Sequence, residues 1–415
     1  MKRALIISVG TGTRPDVDIT KPLIKTINDC NPDYTVMIAS QKSESNALKI
    51  KDNFQFTETE YNILKVSTIE DIQQIFKEVN PVFRELFRAG YEPEEIVVDY
   101  TSGTKAMTGG LVLSAVANSC GTFRYISGDR QDGVVQNETE KFINIKPKGV
   151  FAINQIQVAL RLMEELRFDS ALEIFKSINK ALLDEYEIKL LDSVETLARA
   201  YDRWDMFDHL KFFSEYDKVK FQYQELHKFK INQPVHTKVL AIGKVLKDER
   251  TSPDVLVDLY NNALRRFYEG KYDDALARLY RASEMLAQYI LYRDFQIKTG
   301  DVDLAKVPEE KRGDLAAHKD DRDGGKIKIG LKRAYALLAD LGSSTGKAFV
   351  VNKELQGVLN ERNNSILAHG TKPITEKACR KLFDVVKNLL SSDIADFEIK
   401  ADALQFPWTK GRQLS

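Results

Sequence analysis

Residues 3 to 9, Arg-Ala-Leu-Ile-Ile-Ser-Val, form an apolar run closed by Gly10-Thr11-Gly12-Thr13, which predicts a buried strand entering a tight loop. Residues 95 to 100, Glu-Ile-Val-Val-Asp-Tyr, repeat the pattern and lead into Thr101-Ser102-Gly103-Thr104-Lys105-Ala106-Met107. Around these two units the hydropathy alternates. It predicts a helix near 20 to 30, strands over Tyr34 to Ser40 and Asn62 to Val66, and a helix from Ile69 to Arg88. A helix over 105 to 118 and a strand over Thr122 to Ser127 follow. Strands alternating with helices give a Rossmann-like α/β domain with a mostly parallel sheet. Gly109-Gly110 falls inside the last helix at a cost of about 1 kcal/mol per glycine relative to alanine, which close helix or subunit packing would offset. Beyond the last strand, Gly128-Asp129-Arg130 either reaches the pocket at the strand ends or belongs to a solvated hairpin turning at Asp132-Gly133.

From about residue 151 the strand pattern stops and long amphipathic stretches run to the end. Phe168-Asp169-Ser170-Ala171-Leu172 is echoed by Tyr272-Asp273-Asp274-Ala275-Leu276, each opening an apolar helix in the manner of helical-hairpin packing, though two copies do not make a repeat array. The aromatics Trp204, Phe207, Phe212 and Phe213 read as core of a helical connector. Leu276, Leu279, Tyr280, Leu286 and Ile290 mark the buried stripe of a long helix from Asp274 to Phe295. Between 300 and 326 the chain reads as a charged, glycine-containing loop with His318, Asp320, Asp321 and Asp323; such runs are solvated rather than metal-binding, and this one would border a substrate channel. The fold class is therefore α/β plus all-α. The expected division is an α/β domain over 1–148, a helical connector over 149–252 and a helical domain over 253–415.

Composition narrows the classes. In 415 residues, Lys plus Arg and Asp plus Glu both number 61, so nucleic acid would be held by a local patch and not by bulk charge. Cys30, Cys120 and Cys379 are too scattered for a metal site and read as reduced thiols of a cytoplasmic protein. No apolar run approaches the roughly 18 residues of a membrane span. No metal or cofactor is implied.

The candidate ligand site lies at the two loops. In a parallel α/β sheet, loops after the strands sit where ligands bind. The backbone N–H groups opening the helix at Lys105, its ammonium and the neighbouring hydroxyls suit a polyanion. Standard nucleotide fingerprints fail: Gly10-Thr11-Gly12 lacks a third glycine and is followed by Pro15, and Gly103-Thr104-Lys105 lacks P-loop spacing. Taken singly, each loop could equally be an ordinary turn with a capping threonine.

The candidate catalytic site is Arg362-Asn363-Asn364-Ser365-Ile366-Leu367-Ala368-His369. On a helix, Arg362 and His369 return to nearly one face about 10 Å apart, too far to grip one phosphate easily. A turn between them, or the same motif from a second chain across a twofold axis, would complete the site, which favours a homodimer. Gly370 and Pro373 are stop signals beyond His369, near a helix C-terminus that favours its protonated form.

Arginine, a polar residue and then histidine after six intervening positions resembles the signature of HEPN ribonucleases, and the loops at Gly10 to Thr13 and Asp99 to Met107 resemble those of CARF domains. Together, over about residues 1 to 145 and 255 to 400, the chain resembles the CARF/HEPN ribonucleases of type III CRISPR systems. The resemblance implies that cyclic oligoadenylate binds the CARF dimer and activates the HEPN dimer to cut single-stranded RNA. It assigns catalysis to Arg362, Asn363 and His369. Ligand binding falls to Gly10, Thr11, Gly12, Thr13, Thr101, Ser102, Gly103, Thr104 and Lys105, and support to Arg281 and Glu284; Arg130 is a supporting candidate only from its place beyond the last strand. Arg281 and Glu284, three apart on the long helix, read otherwise as a surface ion pair. Because RNA carries its own 2′-OH nucleophile, no metal is needed. Arg362 would meet developing phosphorane charge, His369 would move protons, and Asn363 would orient the arginine or a phosphate oxygen. Products with 2′,3′-cyclic phosphate and 5′-hydroxyl ends follow, and DNA is refused. Some CARF domains also cut their own activator slowly, a step the same hydroxyls and lysine would serve. Two other readings stand: a ligand-sensing regulator or scaffold with an inert helical half, and a HEPN toxin acting on tRNA.

Overall fold

The computed structural model of the chain describes residues 2–12, 18–57, 60–131, 134–135, 139–320, 323–353, 357 and 370–412. They fall into two compact units, residues 1–154 with 179–184 and residues 155–178 with 185–415.

The first unit is built on a six-stranded sheet in the order β3-β2-β1-β4-β5-β8. Its strands are β1 (Ala4–Val9), β2 (Tyr34–Ala39), β3 (Tyr61–Lys65), β4 (Ile96–Asp99), β5 (Thr122–Ser127) and β8 (Lys141–Ile145). All pairings are parallel except β5 with β8, which closes one edge antiparallel. Strand β1 is fully buried, and its side chains alternate between two cores. Ala4 and Ile6 join the core that includes Ile75, Phe83 and Leu111, whereas Leu5, Ile7 and Val9 join the one that includes Leu23, Ile27 and Ile50. The first core is roofed by α3 (Ile72–Arg88) and α4 (Lys105–Ala117), the second by α1 (Thr20–Cys30) and α2 (Glu44–Phe54). The sheet is thus covered by helices on both faces, as a parallel sheet requires.

Gly110 is where α4 meets α3. A Cβ there would lie 2.6 Å from Ile75 Cγ2 and 3.2 Å from the Ile72 carbonyl, so the helix propensity lost at this glycine is traded for close approach. Short strands β6 (Arg130–Gln131) and β7 (Val134–Val135) pair antiparallel, in keeping with a hairpin; its tip, Asp132-Gly133, and the Arg130 side chain lie outside the described residues.

The second unit is helical. It takes in most of α5 (Lys148–Glu164), then α6 (Phe168–Ser177), α7 (Glu185–Asp205), α8 (His209–Tyr216), α9 (Gln233–Lys247), α10 (Pro253–Tyr268) and α11 (Tyr272–Phe295). Helices α12 (Glu309–Ala316), α13 (Leu331–Asp340), α14 (Ser344–Val351), α15 (Glu376–Ser391) and α16 (Phe397–Ala403) follow. The charged stretch from 300 to 326 is more ordered than a loop: α12 lies within it, and β9 (Lys319–Asp320) pairs with β10 (Lys326–Ile327) as a short ladder. Helix α12 escaped the hydropathy reading because only Leu315 of its residues is buried.

Trp204 and Phe212 are fully buried and Phe213 nearly so, packing among Tyr201, Tyr216 and Phe406. Phe207 is only half-buried, edge-on to the His209 ring at 4.8 Å. Beneath this cluster runs a buried ionic network. Asp258 accepts hydrogen bonds from Trp204 Nε1 at 3.1 and 3.2 Å and faces His209 Nε2 at 2.7 Å, both side chains of the latter pair fully buried. Asp205 accepts from Arg265 Nε at 2.7 Å, from Arg266 and from Asn262. The network ties α7 and α8 to α10.

Candidate functional site

The two glycine-containing loops meet. They follow β1 and β4, which are neighbours in the sheet, so both open at the same carboxyl edge. A Cβ on Gly10 would stand 2.8 Å from Gly103 N and 3.0 Å from Ser102 Oγ; no larger residue fits without parting the loops. Gly103, at φ +107°, holds a backbone conformation that L side chains rarely adopt. Gly10 N donates to Ser102 Oγ at 3.0 Å, and Ser8 Oγ donates to the Ser102 carbonyl.

The second loop is pinned from below by Asp99. Its Oδ1 accepts from Thr101 N at 2.8 Å, and its Oδ2 from Thr26 Oγ1 at 2.8 Å. Burial pushes the Asp99 carboxyl above its ordinary range, while Thr101, Thr26 and nearby Arg124 pull the other way. Arg124 is itself buried, paired with Asp29 at 2.8 Å and bonded to Asn144 Oδ1 at 3.0 Å. Thr101 Oγ1 accepts from Ile126 N at 2.9 Å, joining the loop to β5.

Thr104 caps α4, accepting from Met107 N at 3.2 Å. Its single hydroxyl proton goes to the Ile69 carbonyl at 2.7 Å, which leaves none for a ligand phosphate. The cap leaves the N–H groups of Lys105 and Ala106 at the open end of the helix, where an anion is favoured. Thr11, Gly12, Gly103 and Lys105 are exposed, while Gly10, Thr101 and Ser102 are half-buried. Thr13 lies outside the described residues. Among the described residues Lys105 forms no ion pair. The edge therefore offers a cation, uncapped N–H groups and side-chain hydroxyls around two close-packed glycines, a combination whose chemistry suits an anion.

Asn46 was not legible as part of this edge. It lies in the first turns of α2, and its Nδ2 donates to the Gly10 carbonyl at 2.9 Å; thirty-six positions of chain separate the two, and no local pattern links them. Ser8 had a signal, a hydroxyl in an otherwise apolar and fully buried strand.

In the helical unit, Arg362, Asn363 and His369 lie outside the described residues. What flanks them is clear: α14 ends at Val351, and α15 begins at Glu376 behind the Thr375 cap. Arg281 and Glu284 stand on α11, paired at 2.6 Å and part-exposed. The site thus divides between the units, and the structure brings together the ligand-loop residues alone.

In the charged stretch, Asp323 is held by Lys328 at 2.6 Å and Lys326 at 3.1 Å, and these hydrogen bonds keep its carboxyl below the ordinary range. Asp321 and the Asp320 side chain lie outside the described residues. Among the described residues no group of three or more His, Cys, Asp or Glu side chains is placed to hold a metal ion, and no helix is long and apolar enough to cross a membrane.

Residues 246–393 match the family model of the Csm6 HEPN domain. Csm6 of Enterococcus italicus, solved bound to cyclic hexa-2′-fluoro-hexa-dAMP, superposes with a TM-score of 0.51 at 13% identity over 98% of this chain and 99% of that one. Can2 from Sulfobacillus thermosulfidooxidans, in complex with cyclic tetra-adenylate, reaches a TM-score of 0.24 at 10% identity over 71% of this chain and 69% of that one, too loose a superposition to bear on the fold. No curated protein matches the sequence. Residues 246–393 thus match a Csm6-type HEPN domain, and the chain shares the fold of a Csm6 along nearly its whole length, with a helix-covered, mostly parallel sheet in its first unit.

Proposed function

We propose that this protein is an endoribonuclease of CRISPR antiviral defence, switched on by cyclic oligoadenylate and cutting single-stranded RNA in the cytoplasm as a homodimer. The observation that carries the reading is the meeting of Gly10 with Ser102 and Gly103 at the carboxyl edge of the sheet, in a chain whose residues 246–393 match a HEPN family. A polyanionic ring suits that edge. Gly12 and Gly103 allow backbone to approach it, Thr101 and Ser102 offer hydroxyl protons, and Lys105 supplies the charge. Residues 253–415 are the ribonuclease part.

Arg362 offers a planar, permanently charged fork to the phosphorane that forms when the 2′-OH attacks. His369 takes or gives the proton, and Asn363 orients the arginine or a phosphate oxygen. The chemistry leaves a 2′,3′-cyclic phosphate and a 5′-hydroxyl, and a strand without 2′-OH is not cut. The ligand acts only through different affinity for two arrangements of the protein.

The test is hydrolysis of single-stranded RNA with and without cyclic tetra- and hexa-adenylate, with the activator assayed in parallel for its own degradation. Ligand-dependent cutting is expected; cutting without ligand favours a toxin acting on tRNA, and no cutting a scaffold. In the same assay EDTA should leave the rate within about twofold, since the 2′-OH route needs no Lewis acid. Loss of activity restored by a divalent ion would overturn the metal-free mechanism. Lys105→Ala should weaken activator binding about 5- to 30-fold, the value of one charge-assisted contact at about 1–2 kcal/mol. Calorimetric affinity and half-activating concentration should shift together; if neither moves, Lys105 has no part in binding.

A further inference from the structure

The chain is neutral overall, so a polyanion of any length must be held by a local surface of one sign. The helical unit carries such a surface. Between Asp217 and Asp248 stand seven lysines and two histidines against a single acid, Glu225. The stretch runs through a 3-10 turn, Gln224–Phe229, and then along α9.

The acids of the neighbouring elements are already engaged. Glu164 of α5 pairs with Lys228, Glu215 of α8 with Lys218 at 3.2 Å and Arg199 at 3.6 Å, and Asp217 with His236 at 3.1 Å. Lys220, Lys230, Lys238, Lys244 and Lys247 form no ion pair among the described residues; Lys238 is half-buried and the other four are exposed.

Several of these groups share one side. The Lys230 ammonium lies 5.7 Å from the centre of the half-buried Phe221 ring, that ring packs on Tyr216 at 5.2 Å, and Tyr216 lies 6.3 Å from the His236 ring. Along α9, Lys247 returns to within about 20° of His236 and Lys244 to within about 80°, over a rise of about 16 Å, whereas Lys238 points about 160° away. The backing is fixed. Tyr216 Oη accepts from Ile231 N at 2.8 Å, and Asn232 caps α9 by accepting from Val235 N at 3.0 Å. A fixed row of unpaired ammonium groups beside an aromatic ring is the arrangement that follows a single strand, with cations on its phosphates and the ring offered to a base.

We infer that the face of the helical unit from Phe221 to Lys247 is a docking track for the RNA substrate, holding its phosphates through Lys230, Lys244 and Lys247. The inference rests on the ribonuclease reading above. The track supplies affinity and no chemistry, so its loss acts on substrate capture and leaves turnover alone.

The experiment measures binding of a single-stranded 2′-O-methyl RNA, which offers no 2′-OH for cleavage, at 50 and 200 mM salt. Wild type is compared with the triple variant Lys230→Gln, Lys244→Gln, Lys247→Gln and with Lys238→Gln, all as full chains. Removing three phosphate contacts should lower the salt slope by about 2, so that over this range wild type loses about 20-fold more affinity than the triple variant does. At 50 mM salt the triple variant should bind at least about 10-fold more weakly, and KM for cleavable RNA should rise in step while kcat stays within about twofold. Lys238→Gln should keep RNA affinity, and the triple variant activator affinity, within about twofold of wild type. A triple variant with the RNA affinity and salt slope of wild type overturns the inference. So does an equal loss in Lys238→Gln, which would mean diffuse attraction, and so does a loss of activator binding with RNA binding intact, which would give the surface to the activator. A wild type that neither binds nor cuts RNA removes the ribonuclease reading and this inference together; one that cuts RNA, beside an indifferent triple variant, removes this inference alone.

Discussion

Arg362→Ala and His369→Ala are each expected to lower activated RNA cleavage by at least about 100-fold, the lower end for removing a general acid–base or a donor aimed at developing charge. Transition-state charge builds on the non-bridging oxygens as the 2′-OH attacks, and the guanidinium is the permanently charged fork in the motif able to meet it. The proton must still leave the nucleophile or reach the leaving oxygen, which is the task of the imidazole. Because the two act as a unit, the double variant should be little worse than either single one. Activator affinity should be unchanged, since the ligand loops belong to the other compact unit. Single-turnover cleavage beside calorimetric activator binding reads both quantities. A single variant within about tenfold of wild type would sink the assignment.

Much of this architecture was legible because buried parallel strands declare themselves. Strands β1, β2 and β4 are almost wholly buried and appear in the sequence as predominantly apolar runs. Strand β8 did not, because it is an edge strand with most of its residues exposed, Ile143 and Ile145 among them; its pairing with β5 depends on tertiary placement. Helix α2 was missed for a similar reason, burying only Ala47 and Ile50. At the carboxyl edge of the sheet, the loops bearing Gly10, Ser102 and Gly103 were recognisable from loop chemistry, and the structure brings them together. The commitment of Thr104's proton to Ile69, thirty-five positions away, and Asn46's grip on Gly10 were not, since each partner is brought near only by the folded sheet. The Arg362 and His369 pair rests on its spacing and its resemblance to the HEPN signature, and lies outside the described residues.

Asp258→Ala is expected to destabilise the helical unit by about 3–5 kcal/mol, as breaking a buried pair by removing one partner does. The carboxylate is fully buried, as is its partner His209. Its loss strands the Trp204 N–H, which has no other acceptor among the described residues, and leaves His209 Nε2 without a partner. Arg265 suffers as well: its Nη1 stands 4.0 Å from Asp258, and neither Nη atom has a hydrogen bond. Both tryptophans of the chain, Trp204 and Trp408, sit in this unit, so urea unfolding followed by tryptophan emission reports it selectively. A shift under about 1 kcal/mol would mean that the network is open to water and the charges are not held as described.

The three thiols lend the molecule a chemical clock. Cys30, Cys120 and Cys379 are buried and unpaired, and burial pushes all three up, Cys120 and Cys379 to about 12. Alkylating reagents take the thiolate, so in the closed molecule these groups react slowly, and each becomes labelled only as fast as its surroundings open. Cys30 and Cys120 time the sheet unit and Cys379 the helical one. Cys379 also donates to the Tyr272 carbonyl at the start of α11 at 3.8 Å. Its alkylation rate, compared with and without activator, therefore measures how often the packing of α15 against α11 opens.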